Sequence, residues 1–195
     1  MEKEVFDILV DWNCDEKGAK TVTSVALGDF DIAFKLQEGA LLHTPHTIGN
    51  AMWRSPKGQT GRGITKASDI FSFGLVCIYA LGAGEVLLIN NYQELLQLGM
   101  TAEQEILVRH LSYFGPVNQG LLKQINDGKW ATALSSAPQL AELDVADRPE
   151  LSFEQWGQEL GSGAQDLIAG MTRIDPTARA TIYQVLAHKW WHEEG

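Results

Sequence analysis

Apolar and polar positions alternate or cluster as strands near the start of the chain and settle into helical spacing further on. Phe6-Asp7-Ile8-Leu9-Val10-Asp11-Trp12 is rich in strand formers and gives way to a polar, Gly-containing stretch from Asn13 to Lys20. Thr21 to Leu27 is a second such run, so two strands joined by a turn-rich loop are expected, with Asp29 delivered at the end of the second. From Lys35 to Lys57 the periodicity fades, and Gly39, Pro45, Gly49 and Pro56 punctuate a long ordered loop. Loops of that length are uncommon unless they have a function.

Beyond it the pattern is helical. Thr65 is placed to cap a helix running through Gly82 that is apolar nearly all round, which puts it in the middle of the domain. Its uncharged stretch from Ile70 to Gly84 lies between Asp69 and Glu85 and is too short to cross a bilayer. Thr101-Ala-Glu-Gln104 reads as a capping box for a helix toward Phe114, stopped by Gly115-Pro116. Ser162-Gly-Ala-Gln165 opens another, with Leu167, Ile168 and Met171 on one face. Thr181-Ile-Tyr-Gln184 opens the last, with Val185, Leu186 and Trp190 on one face. Asn126 to Gly161 reads as loop-rich with short helical pieces. The expectation is one α+β domain over residues 1–195, mainly α with a small β-hairpin.

Composition narrows the partners. The net charge is −10, from 25 acidic against 15 basic residues, with no basic patch to meet a phosphate backbone, so nucleic acid is not an expected partner. Cys14 and Cys77 stand far apart without a CxxC pairing, which fits free thiols in a reducing compartment. No apolar signal segment follows Met1-Glu-Lys-Glu4, so an intracellular chain, cytoplasmic or nuclear, is expected, with no membrane role.

Four short motifs carry chemistry. They are Gly28-Asp29-Phe30-Asp31, Gly49-Asn-Ala-Met-Trp-Arg-Ser-Pro-Lys57, Asp69-Ile-Phe-Ser-Phe-Gly74 and Asp175-Pro-Thr-Ala-Arg179-Ala-Thr181, the last followed by His188-Lys-Trp-Trp191. In order and spacing they resemble the large lobe of a eukaryotic protein kinase of the Ser/Thr type: the D-F-G triplet, the G-T-x-x-Y-x-A-P-E close of the activation segment, D-x-W-S-x-G of the central helix, and D-P-x-x-R-x-T before the last helix. The resemblance implies a kinase-like C-terminal lobe with residues 29–57 as its activation segment.

The resemblance also implies roles. Asp29 matches the carboxylate that holds magnesium against the ATP phosphates, and a strand-end Asp satisfying loop amides is the plain alternative. Asp31 replaces the Gly that gives the loop its backbone freedom. Asp69 resembles the buried Asp that anchors the catalytic loop from the central helix. Arg179 normally pairs with the Glu of A-P-E, a position held here by Lys57, so two cations would face each other. Losing one partner of a largely buried pair costs about 3–5 kcal/mol, a cost that a swing of Lys57 into solvent could soften. Trp53 lies where kinases shape the pocket for the residue after the phosphoacceptor, either as packing or as recognition. Thr44 and Thr47 lie near the usual activation-segment phosphorylation position.

Aligning Ile8-Leu9-Val10 with the run after the catalytic loop H-R-D-x-K-x-x-N places Asp7 at its Asn, a second metal ligand. It also places Glu4 at its Lys and Glu2 at its catalytic Asp. No Gly-rich loop, phosphate-binding strand Lys or pairing helix Glu stands ahead of these. The expectation is a truncated C-lobe with the small lobe absent, a degenerate magnesium–ATP site and no intact catalytic set. Its action would be protein binding, for example along the helix from Thr101 to Phe114. The apolar helix Ile70 to Leu81 would lose a packing neighbour and expose an apolar patch. The alternative is a piece of an ATP-dependent protein serine/threonine kinase whose remaining parts lie elsewhere.

Overall fold

The computed structural model describes residues 8–30, 33–44, 49–87, 89, 93, 97, 99–116, 121 and 128–192. Glu2, Glu4, Asp7, Asp31 and Thr47 lie outside the described residues. The chain divides into two compact units, residues 1–35 and 36–195.

The first unit is the expected hairpin. β1 (Ile8–Cys14) pairs antiparallel with β2 (Lys20–Leu27). Asp15 makes the turn: its Oδ1 accepts from the Lys17 and Ala19 amides at 2.9 and 2.8 Å, and its carbonyl accepts from Gly18 at 3.0 Å. An acceptor side chain that bonds the backbone two residues on is what suits Asp to turns. The register pairs Ile8 with Leu27, Val10 with Val25 and Asp11 with Ser24, then shifts so that Trp12 pairs with Val22. Residues directly opposite share a face, so this bulge gathers Val10, Trp12, Val22, Val25 and Leu27 on one side. All five are 46–64% exposed. The other side is more polar, with Ser24 Oγ donating to Asp11 Oδ2 at 2.8 Å.

The second unit is helical. α1 (Pro56–Thr60) and α2 (Ala67–Ile78) are followed by a π-helical turn, Tyr79–Ala83, and a 3-10 turn, Gly84–Leu87. Then come α3 (Ala102–Phe114), α4 (Gly128–Asp147), 3-10 turns at Pro149–Leu151 and Phe153–Gln155, α5 (Gly157–Leu160), α6 (Ser162–Met171), α7 (Ile182–Leu186) and a 3-10 turn at Lys189–His192. Phe71, Leu75 and Ile78 of α2 meet Leu107 and Leu111 of α3, Leu167, Ile168 and Met171 of α6, and Val185 of α7 in one core. α2 is tied closely to α6 through Gly74, beside which Met171 and Thr172 pack.

The capping boxes at Thr101 and Thr181 are both formed, and Gly115 ends α3. Other boundaries differ from the sequence reading. Thr65 is not the cap of α2: Lys66 holds that position without a side-chain bond, and the Thr65 carbonyl accepts from Ser68. α2 stops at Ile78, and Gly82 at φ 96° lies in the kinked turn beyond it. α6 does start at Ser162 as expected, but without a side-chain cap, and Gln165 instead reaches back to the Phe153 and Glu154 carbonyls at 2.8 and 2.9 Å. Leu186 is exposed although Val185 beside it is buried.

α2 is not buried all round either. Phe73, Tyr79 and Leu81 of this segment are exposed. The stretch expected to be loop-rich contains the 20-residue α4, with Pro138 in its interior and Ala137 and Ala141 in the core. No described helix is long and apolar enough to cross a membrane.

Candidate functional site

In the first unit, β2 ends at Leu27 and hands the chain to Asp29, whose backbone turns left-handed at φ 52°. Among the described non-glycine residues only Asp29 has positive φ, a conformation that Asp tolerates better than most. Asp29 and Phe30 are exposed, and the Phe30 carbonyl accepts from Ala33 at 3.1 Å. A carboxylate in this place suits one coordination position of a hard cation, and magnesium takes one or two carboxylates together with substrate phosphates. Among the described residues no group of three His, Cys, Asp or Glu could hold a metal. Asp29 alone therefore does not make a metal cage.

In the second unit the segment before α2 is tightly built. Leu42 bridges to Ile64, and the Thr44 amide donates to the Gly61 carbonyl at 3.0 Å. Thr44 is thus half-buried and tied into backbone pairing rather than displayed on an open loop. Asn50 Oδ1 accepts from Met52 and caps the 3-10 turn Ala51–Trp53. Trp53 sets its ring edge-on to Tyr79, centroids 5.8 Å apart, and packs against the core. That is a packing role. Arg54 donates to the Gly49 carbonyl at 2.8 Å through Nε, and Gln59 donates to the Ala51 carbonyl. Ser55 Oγ accepts from Gly58 at 3.1 Å and caps α1, Pro56 occupies its first turn, and Gly61 ends it at φ 67°.

Lys57 is carried on this short helix and is 1% exposed. Of the two arrangements open to it, folded in or swung into solvent, the side chain takes the first. Its Nζ packs 3.5 Å from where a Cβ on Gly63 would stand. Burial pulls the ammonium pKa down, the Arg179 charge pulls it further, and Asp175 pushes it back up.

Arg179 is 6% exposed and does not depend on a glutamate partner at position 57. Its Nε donates to the Arg173 carbonyl at 2.6 Å, and its two terminal nitrogens donate to Ala67 at 2.9 Å and Ile174 at 3.1 Å. The guanidinium also lies 4.8 Å from the Phe71 ring centroid. Five donors in a fixed fork suit this multiple carbonyl capture. Burial brings its pKa down to about 9, against the opposing pull of Asp175. Arg179 therefore ties the start of α2 to the turn after α6 while keeping its charge at neutral pH.

Asp69, expected to be buried, is exposed in the first turn of α2. Partial desolvation by the surrounding protein nonetheless raises its carboxyl pKa.

One unusual group escaped the sequence reading. His110 on α3 is 2% exposed, with its Nδ1 lacking a partner among the described residues. It packs against Phe71 at 5.0 Å and Phe114 at 6.1 Å between ring centroids. Burial, then the Arg179 charge, lowers its pKa to about 3, so the ring is neutral. The signal was available: His110 stands four residues from both Ile106 and Phe114, on the apolar face. α3 itself is a core helix, with Ile106, Leu107, Val108, His110, Leu111, Ser112 and Tyr113 buried, so most of it cannot serve as a docking surface.

Lys57, Asp175 and Arg179 thus come together in the second unit, whereas Asp29 belongs to the first. The sequence pattern of the protein kinase domain matches residues 8–191. Over 79 residues the chain is 39% identical to the L-type lectin-domain containing receptor kinase SIT1 of Oryza sativa subsp. japonica, covering 40% of this chain and 12% of that protein. Over 46 residues it is 44% identical to calcium-dependent protein kinase 26 of the same plant, covering 24% of this chain and 8% of the other. These matches span about an eighth or less of the relatives' length. A crystal structure of a kinase domain aligns with a TM-score of 0.57 and 18% identity, over 95% of this chain and 54% of that one. At that identity the likeness speaks for the fold. The chain, mostly helical with a two-stranded antiparallel sheet, belongs to the protein kinase domain family.

Proposed function

We propose that this chain is a truncated, catalytically inactive kinase-like domain, a pseudokinase remnant that acts by binding another protein. The observation that carries the reading is Lys57, buried beside Arg179 where the family's motif calls for a carboxylate. Glu2 and Glu4 at the catalytic Asp and Lys positions, and Asp31 in place of the triplet's Gly, point the same way. Phosphoryl transfer rests on positioned charge, and Glu4 would reverse the charge of the Lys that contacts the transferred phosphate. A role in binding is supported by the exposed apolar side of the hairpin, Val10, Trp12, Val22, Val25 and Leu27.

The test is a thermal melt of the purified chain with and without magnesium–ATP, paired with a phosphate-transfer assay. The inactive reading expects a cooperative melt that nucleotide does not move, and no transfer. Ligand at a hundredfold above its dissociation constant stabilises by about 2.7 kcal/mol, a shift of roughly 5–10 °C. Such a shift, with transfer abolished by Asp29→Ala, would overturn it.

A second reading is favoured by one observation: the chain aligns with only 54% of the solved kinase domain. On this reading it is part of an ATP-dependent protein serine/threonine kinase whose small lobe and catalytic loop lie outside these residues. Asp29 and Asp7 would then be the metal ligands. In-frame upstream coding sequence with a Gly-rich loop and H-R-D supports it; a stop codon directly ahead of Met1 sinks it.

A further inference from the structure

Between α3 and α4 the second unit holds a cavity of about 190 Å³. Leu107 and Val108 of α3 and Ala137 of α4 form its buried wall, while Met100, Gln104 and Leu140 line it nearer the surface. α4 leaves this room because of what it presents. Ala137 offers a single methyl, and Leu140, one turn further on, is 43% exposed instead of folded across the gap. No charged side chain is among these lining residues.

One polar group of the cavity is oriented by its own bonding. Gln104 Oε1 is committed to the capping box, accepting from the Thr101 amide at 2.9 Å. That bond fixes the planar side-chain amide and leaves Nε2 as a donor with no partner among the described residues. Met100 adds a polarizable thioether, which favours contact with an aromatic ring. An apolar cavity of roughly 150 Å³ suffices to take up benzene, and sites for drug-sized molecules begin near about 300 Å³. The volume therefore fits a molecule of one ring. The lining suits one acceptor atom and no charge, because a charge would lose hydration here without gaining a counter-charge.

We propose that the cavity between α3 and α4 is a binding site for a small neutral aromatic ligand with one acceptor oxygen. The ring lies against Leu107, Val108 and Met100, and the oxygen accepts from Gln104 Nε2. The site is independent of phosphate transfer, since it uses neither Asp29 nor the segment that carries Lys57.

The test is a titration of the full chain with acetophenone, a one-ring ketone, followed at the Met100 methyl resonance. Met52 and Met171 serve as reporters outside the cavity. Two probes of nearly the same shape isolate the two chemical claims: α-methylstyrene carries a methylene in place of the carbonyl oxygen, and benzoate adds a charge. Acetophenone is expected to shift Met100 saturably, with an affinity about fivefold above α-methylstyrene, as one hydrogen bond gives. Benzoate should bind at least about tenfold more weakly than acetophenone. Gln104→Glu keeps the capping box but replaces the donor by a carboxylate. In that variant the preference for the ketone should vanish, while α-methylstyrene binds within about twofold of its affinity for the parent. No saturable shift at Met100, equal binding of the three probes, or a preference for the ketone that survives Gln104→Glu would overturn the site.

Discussion

Thr172 Cγ2 lies 2.7 Å from the position a Cβ on Gly74 would take, with Met171 Cβ 3.2 Å from the same point. The glycine that closes the Asp69 to Gly74 motif is therefore a packing requirement, letting the end of α6 reach the backbone of α2. Gly74→Ala gains about 1 kcal/mol of helix propensity and loses about 1–3 kcal/mol to overpacking. The net result should be a melting midpoint a few degrees lower. Adding Thr172→Ser removes the offending methyl and keeps the hydroxyl that donates to the Ile168 carbonyl at 3.0 Å. The pair should recover more than half of the loss; a stabilised Gly74→Ala would contradict the contact.

His110 makes stability fall in acid. Its folded pKa, about 3, lies below the ordinary value of 6.5, so below pH 6.5 the unfolded chain takes up a proton that the folded chain refuses. The contribution is complete above pH 6.5 and is lost at about 1.4 kcal/mol per pH unit down to pH 3. Urea titrations at pH 7.5 and 5.5 measure it. In His110→Phe, which fits the ring cluster with Phe71 and Phe114, the difference between those two pH values should shrink by about 1.4 kcal/mol. An unchanged difference would mean that His110 titrates normally.

Two threonines that look alike in sequence should behave differently. Thr181 Oγ1 accepts from the Gln184 amide, and the Gln184 side chain accepts from the Thr181 amide at 2.8 Å. Thr181→Ala should cost about 1 kcal/mol. Thr65 makes no such cap, and Thr65→Ala should fall within about 0.5 kcal/mol of the parent. Parallel denaturant melts compare them directly, and equal losses would show that Thr65 caps α2 after all.

Local signals were legible and tertiary ones were not. The hairpin, the caps at Thr101 and Thr181, the stop at Gly115 and the inward face of Leu167, Ile168 and Met171 each depend on neighbours within a few residues. α4 was missed because Gly128, Ser135, Ser136 and Pro138 argue against a helix locally, while its packing along α3 argues for one. Lys57 shows the same limit at the site. Its identity predicts a charge that stays wet, and only the surrounding α1 turn, Gly63 and the field of Asp175 explain why it does not.

The bulge in the hairpin makes the parity of β2 depend on a single residue. Val22 and Val25 are three apart, an odd spacing that a regular strand would place on opposite sides. A ladder that ran on without the bulge would pair Trp12 with Thr23 and move Val22 to the partner position of Asn13, away from Trp12. A change that perfects the hydrogen bonding would thus dismantle the continuous apolar side. One inserted residue decides whether this hairpin carries an adhesive surface or two weakly mixed ones.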